Sequence, residues 1–377
     1  MELTDFRRGL GEWLDHNADD LQAGVPFASA VADRLSRQRD VQRRLHDADW
    51  MRFGWPERVG GLGGSVLCRA VLGEELTSRG IVHTTTWSMH EVLGPAVVEY
   101  ADPALVSEVF PRLLRGEETW CQGFSEPDAG SDLGSLRTTA TPVADGDSWV
   151  INGEKLWTSF AHHAARCVVL ARTGPPGSGS AGISAFLVDM NAPGVMVRPL
   201  ATMAGVDEFC STSFVDVVVP NGRLIGRVGD GWKTTAFILA CERGPIFWQR
   251  ASWLARHLEL LLPQAADPRS HALLGEAFQS LWAFRARSLS TLRAMEDGSL
   301  PGPEASIDKI LIANAEQAVF ELAKEVLAGD LELTDSPEAE MWRSEWAYSR
   351  AATIYGGTSE IQKDIVSSRL LGLPRGA

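Results

Sequence analysis

The sequence predicts an α+β multidomain protein: an α-helical domain over residues 1–117, a compact antiparallel β domain over 118–228 and a second helical domain over 229–377. Three observations carry that expectation. The first and last zones space apolar side chains three and four apart with charge between them, the period of helices with one buried face. The middle zone instead reads as short β-branched and aromatic runs divided by Gly, Pro, Asn and Asp. At 377 residues the chain also exceeds what one hydrophobic core usually supports.

In the first zone, Val31 to Leu35 and Ala70 to Leu76 show the helical spacing. Gly60 to Gly64 interrupts it, and Ser65 follows as a helix cap. This glycine run reads as a structural turn or as a phosphate cradle. In the middle zone, Trp149–Ile151, Cys167–Leu170, Ala185–Val188 and Ser213–Val219 read as strands, with Asn152-Gly153 as a hairpin turn. Their local connections suggest a barrel or a sandwich rather than alternating βα units. In the last zone, Ile307 to Val326 reads as a long amphipathic helix capped by Ser306 and ended by Gly329 and Asp330.

Composition excludes several classes. A net charge of −14 disfavours a nucleic-acid backbone or an anionic membrane as the main partner. No window approaches a membrane-spanning length of uncharged apolar residues. The five cysteines form no CxxC pair and suggest buried thiols in a reducing compartment. With Glu2, Asp5, Arg7 and Arg8 in place of a secretory signal, the expected location is cytoplasmic. His90 and the His162-His163 pair have no metal-binding partners in sequence, and no Gly-x-Ser-x-Gly elbow is present.

Phe124-Ser125-Glu126-Pro127-Asp128-Ala129-Gly130-Ser131-Asp132, Lys155-Leu156-Trp157-Thr158-Ser159 and Tyr355 to Ile365 together resemble the signatures of the acyl-CoA dehydrogenase family. Gly54-Trp55-Pro56, Val217 to Pro220 and Gly372 to Arg375 extend the resemblance over nearly the whole chain. It implies an N-terminal helical domain, a middle β-barrel and a C-terminal four-helix bundle. It also implies FAD, an acyl-CoA or acyl-carrier-protein substrate, an electron-transferring flavoprotein as oxidant, and a homodimer or homotetramer.

Physical chemistry and the resemblance converge on particular residues. Trp157 offers an aromatic face for a flavin ring, and Ser159 a hydroxyl for its polar edge. The resemblance assigns ring-edge contacts to Phe124 and Ser125, pyrophosphate contacts to Gly130 and Ser131, and adenosine or phosphate contacts to Thr358 and Glu360. Ser131 and Arg243 are candidates for substrate binding. Many relatives carry the catalytic glutamate where this chain has Gly356, and a subset carries it on an adjacent helix, where this chain has Glu242. Glu242 is therefore the candidate base; its other reading is a helix-surface residue paired with Arg243 or Arg250. Trp87, Phe247, Trp248 and Trp253 read as core packing or as pocket walls.

Two departures bear on assembly. Pro263 to Arg269 replaces the Arg-x-x-Phe-Gly element that reaches a partner subunit's FAD, leaving Arg269 or a nearby basic group as a substitute, and Glu325 to Gly329 lacks the usual glutamine. These departures resemble an actinobacterial subgroup acting on branched, steroid-side-chain or specialised-metabolite acyl groups. Two alternatives remain: a flavin oxidase or monooxygenase on the same fold, and a non-catalytic acyl-binding subunit of a hetero-oligomer.

Overall fold

The computed structural model describes residues 1–22, 31–82, 87, 89–144, 146–175 and 177–374. Arg375, the last residue of the C-terminal motif, lies outside the described residues. The N-terminal part contains helices α1 (Leu3–His16), α2 (Ala18–Gln22), α3 (Val31–Asp47), α4 (Leu67–Ser78), α5 (Met89–Tyr100) and α6 (Pro103–Leu114). Their apolar faces meet in one core that includes Phe6, Leu10, Leu45, Trp55, Leu76, Leu93 and Phe110. Gly60 to Gly64 forms a turn closed by backbone bonds such as Gly54 N–H to Gly63 O at 2.7 Å. Ser65 accepts from Leu67 N–H at 3.0 Å just ahead of α4.

Strands β1 (Trp120–Gly123), β2 (Thr139–Pro142), β3 (Ser148–Ser159), β4 (Arg166–Arg172), β5 (Ile183–Asp189), β6 (Val195–Pro199), β7 (Phe209–Pro220) and β8 (Leu224–Ile225) form the central sheet. Its order is β6-β7-β3-β2-β4-β5-β8, with β1 paired to β4. Most pairs are antiparallel, but β1 and β2 each run parallel to β4. Asn152-Gly153 is not a hairpin turn. Both residues lie inside β3, opposite Thr139 and Phe214, at a register slip against β7. Gly153 is needed because a β-carbon there would sit 2.4 Å from Thr138 Oγ1.

Helices α7 (Gly231–Glu242), α8 (Pro245–Leu261), α9 (Pro268–Glu296), α10 (Ala305–Val326), α11 (Ala328–Leu333), α12 (Pro337–Ser349) and α13 (Ser359–Ile365) follow. Phe247, Leu254 and Leu258 of α8 pack with Leu281 and Phe284 of α9, Val319 and Phe320 of α10, and Trp342 of α12. Ser306 is not the cap of α10. The helix begins one residue earlier, at Ala305, and Ser306 is buried within it with its hydroxyl unpartnered. The same helix stops at Val326, short of Gly329 and Asp330, which belong to α11.

All five cysteines are free and buried. No helix among the described residues is long and apolar enough to cross a membrane. None of their His, Cys, Asp and Glu groups could hold a metal ion.

Candidate active site

The half expected to face a flavin begins with a break in β3. Lys155 pairs with Thr212 and Thr158 with Cys210, so one extra residue bulges from β3. Trp157 sits in that bulge at φ 62°, a left-handed conformation rare for a side-chain-bearing residue. The bulge turns its indole outward, 55% exposed. Its neighbour Phe209 meets it edge-on at 5.9 Å.

Lys155, on the same strand, points the other way into the core. Its ammonium donates to Phe124 O at 3.1 Å and Glu126 Oε1 at 2.8 Å. Glu126 also accepts from Arg137 N–H at 2.6 Å and Thr138 N–H at 2.9 Å. Burial pushes the Glu126 carboxyl up, but the Lys155 charge and these N–H groups outweigh it and leave its pKa lowered. Leu156 N–H donates to Ser125 O at 2.9 Å. The segment from Phe124 to Ser131 is thereby tied to β3 beside Trp157. Phe124 is buried, whereas Gly130 and Ser131 are exposed, and a β-carbon on Gly130 would meet nothing within 4 Å.

Ser159 donates to Glu208 Oε1 at 3.3 Å. Glu208 is buried, and burial pushes its carboxyl up to about 7. Tyr348 of α12 also donates to it, at 3.5 Å. Sequence reading missed Glu208, since a lone glutamate between β6 and β7 carries no local signal. A chain of rings links the sheet to the bundle: Phe209 stacks on Tyr348 at 6.3 Å, and Tyr348 lies 5.9 Å from Tyr355.

Tyr355 leads into Gly356 and Gly357, both left-handed, at φ 63° and 91°. Gln362 Nε2 donates to Gly356 O at 3.2 Å and closes the turn. Thr358 caps α13, accepting from Ile361 N–H at 3.2 Å, while Glu360 is exposed in its first turn. No hydrogen bond among the described residues joins Thr358 or Glu360 to the 124–131 segment.

Glu242 is the last residue of α7. Its Oε1 lies 3.6 Å from the point a β-carbon on residue 356 would occupy, and Lys309 Cε lies 3.1 Å from the same point. Glu242 keeps some open surface yet is walled by protein, and that burial pushes its carboxyl up against the opposing charges of Arg243 and Lys309. Among the described residues it forms no ion pair. Arg250 is held by Glu316 at 2.6 Å, which removes it as the alternative partner. Arg243 donates to Gln362 Oε1 at 3.2 Å, linking α7 to the glycine turn, and burial lowers its pKa. Tyr355 donates to both Glu316 oxygens, at 3.2 and 3.1 Å.

Trp87, Phe247 and Trp253 are buried in the packed cores, and Trp248 donates its indole N–H to Glu74 at 3.0 Å. Arg269 is exposed and paired with Glu325 at 3.0 Å. It lines a polar groove of about 560 Å³ with Lys324 and Arg350, which contains none of the candidate catalytic residues.

Helices before and after a central sheet are the architecture of the acyl-CoA dehydrogenase fold. Models of the acyl-CoA dehydrogenase N-terminal, middle and C-terminal domains match residues 21–117, 121–217 and 229–371. The chain belongs to the acyl-CoA dehydrogenase family, whose members are flavin oxidoreductases acting on CH–CH groups. It is 35% identical over 393 residues to the acyl-CoA dehydrogenase IpdE1 of Mycolicibacterium smegmatis, covering 100% of this chain and 99% of that one. The Tcur3481-Tcur3483 steroid ACAD superposes with a TM-score of 0.83 at 26% identity over 99% of this chain and 98% of that one. The ChsE4-ChsE5 complex from Mycobacterium tuberculosis gives a TM-score of 0.80 at 25% identity, covering 100% of both chains.

Proposed function

We propose that the chain is an FAD-dependent acyl-thioester α,β-dehydrogenase in which Glu242 removes the α-proton. One observation carries this reading: Oε1 of Glu242 is 3.6 Å from the origin of the side chain that Gly356 lacks. A base on the adjacent helix end thus reaches the space a base on the glycine turn would use. A walled carboxyl with a raised pKa suits proton abstraction from a weak carbon acid.

The exposed Trp157 indole and the open space before Gly130 fit a flat aromatic cofactor with a phosphate tail. Phe124, Ser125, Gly130, Ser131, Trp157, Ser159, Thr358 and Glu360 would hold FAD. When bound, the flavin supplies the acceptor for the β-hydride. Arg243 and Ser131 would contact the thioester substrate. Electron-transferring flavoprotein is our proposed oxidant, the thioester carrier is coenzyme A or a carrier protein, and the location is cytoplasmic. We keep three domains at 1–117, 118–228 and 229–377, supported by the neighbouring limits of the family matches.

The test is anaerobic bleaching of the bound flavin across a panel of acyl-CoAs. Wild type should bleach with a subset of them. Glu242→Gln should retain flavin and bleach about 10²–10⁴-fold more slowly. Full-rate bleaching by Glu242→Gln would remove the base assignment. Rapid oxygen consumption by the reduced protein would favour an oxidase.

A second assembly reading has its own support. The similarity to the ChsE4-ChsE5 complex, with the missing Arg-x-x-Phe-Gly element, favours a hetero-oligomer over a homodimer or homotetramer. Co-purification with a second acyl-CoA dehydrogenase-like chain, needed for flavin retention, is the outcome that would support it.

A further inference from the structure

We infer that Lys309 is a positioning residue for the candidate base: it walls the space at residue 356 and places a positive charge near Glu242 that favours the carboxylate over its acid form. The inference rests on the reading of Glu242 as base.

Lys309 lies on α10 and is buried, 2% exposed. Its ammonium donates to the backbone carbonyl of Ala352 and stands 4.7 Å from the centre of the Tyr355 ring. Among the described residues it has no carboxylate within ion-pair distance. The carboxylate whose charge acts most on it, Glu316 of its own helix, is also bonded by Arg250 at 2.6 Å and by the Tyr355 hydroxyl. Asp308, next to Lys309 in sequence, is held by Thr291 at 2.6 Å and Arg287 at 3.1 Å. Burial lowers the Lys309 pKa against the opposing charges of Glu316 and then Glu242, and of these two Glu242 is the one that forms no ion pair among the described residues.

A buried ammonium is costly unless its charge is compensated. Here the carbonyl and the ring give partial compensation. Glu242 adds to it from across one small space: its Oε1 and Lys309 Cε lie 3.6 and 3.1 Å from the same point, the missing β-carbon of residue 356. Arg243 faces Glu242 from the end of α7 and reinforces the positive field, while Tyr355 faces it with a neutral hydroxyl. The two cations oppose the burial that pushes the Glu242 carboxyl up. The Lys309 ammonium lies beyond ion-pair distance of Glu242, but in desolvated surroundings opposite charges interact strongly enough across such a gap to move a titration.

The same geometry gives Gly356 a second meaning. A β-carbon there would press on the Lys309 stem at 3.1 Å, so a side chain at residue 356 would require the lysine to give way slightly.

The experiment titrates the purified holoenzyme by difference infrared spectroscopy. The Glu242 carboxyl band is identified by its loss in Glu242→Gln, and the measurement needs no turnover. In Lys309→Met the Glu242 midpoint should rise by about one pH unit or more, a tenfold change in protonation ratio. The acid limb of anaerobic flavin bleaching should move in the same direction. Lys309→Arg, which keeps the charge, should stay close to wild type. Gly356→Ala, which displaces the Lys309 stem, should raise the midpoint by a smaller amount and serves if Lys309→Met does not fold. An unmoved Glu242 midpoint in folded Lys309→Met, or in Gly356→Ala where the methionine variant does not fold, overturns the inference. The two readings fail separately. Full-rate bleaching by Glu242→Gln sinks the base assignment while leaving the infrared coupling intact. Slow bleaching by that variant with no coupling sinks only the role of Lys309.

Discussion

Ser159 donates its hydroxyl to Glu208 across 3.3 Å, so the side chain expected to face the flavin edge is also bound to a buried carboxyl just ahead of β7. That carboxyl is pushed up from the ordinary 4.5 to about 7, mainly by burial. Below pH 4.5 it is protonated in both the folded and unfolded chain. Between the two values only the folded chain keeps the proton; above about 7 both are ionised. The stability gained from the retained proton is therefore present at low pH and lost as pH rises through about 7. A shift of this size corresponds to about 3 kcal/mol. Glu208→Gln should lose that dependence, so its stability relative to wild type should improve by about 3 kcal/mol between about pH 5 and about pH 8. Urea unfolding at both pH values measures it, and parallel changes in the two proteins would contradict it.

Trp157 separates ligand binding from folding. It is exposed and held at φ 62°, so the folded chain gains little from its burial and bears left-handed backbone strain. Trp157→Gly should leave the ligand-free protein as stable as wild type, or more stable by up to about 1 kcal/mol, while weakening flavin retention. Thermal unfolding of the ligand-free form and flavin absorbance after gel filtration give the two readings. Strong destabilisation with unchanged flavin content would make Trp157 a structural residue.

Lys155 and Glu126 are the opposite case. Both are buried and paired at 2.8 Å, and they hold the 124–131 segment against β3. Lys155→Met should cost about 3–5 kcal/mol, because it leaves a buried carboxylate without its cation. Adding Glu126→Gln should recover part of that loss. A double-mutant cycle by urea unfolding tests the coupling, and additive losses would show there is none.

The two glycines of the turn before α13 should differ. A β-carbon on Gly357 would sit 2.3 Å from Gln362 Nε2, whereas one on Gly356 meets Lys309 Cε at 3.1 Å. Gln362 bonds both Gly356 O and Arg243, so Gly357→Ala should disturb the turn and the end of α7 together. We expect about 1–2 kcal/mol of destabilisation for Gly356→Ala from left-handed strain, and more for Gly357→Ala. Equal losses in thermal unfolding would count against the Gln362 link.

Local pattern alone determined much of this protein. Apolar spacing placed the helices at 31–35 and 70–76, and β-branched runs placed the cores of β3, β4, β5 and β7, because such periodicities follow from which side of an element faces away from water. The motif residues pointed to an acyl-CoA dehydrogenase and drew attention to Glu242 and Gly356 as a pair. Tertiary structure decided what depends on approach from distant segments. Asn152-Gly153 has the composition of a turn, yet pairing on both sides draws it into a strand. Ser306 has the chemistry of a cap but is enclosed by the bundle. Glu208 and Lys309 carry no sequence signal because their environment comes from Ser159 and Tyr348 in one case and from Ala352, Tyr355 and Glu242 in the other. Residue type sets what a side chain can do, but burial and neighbouring charge set its protonation, and those arise only when remote parts of the chain pack together.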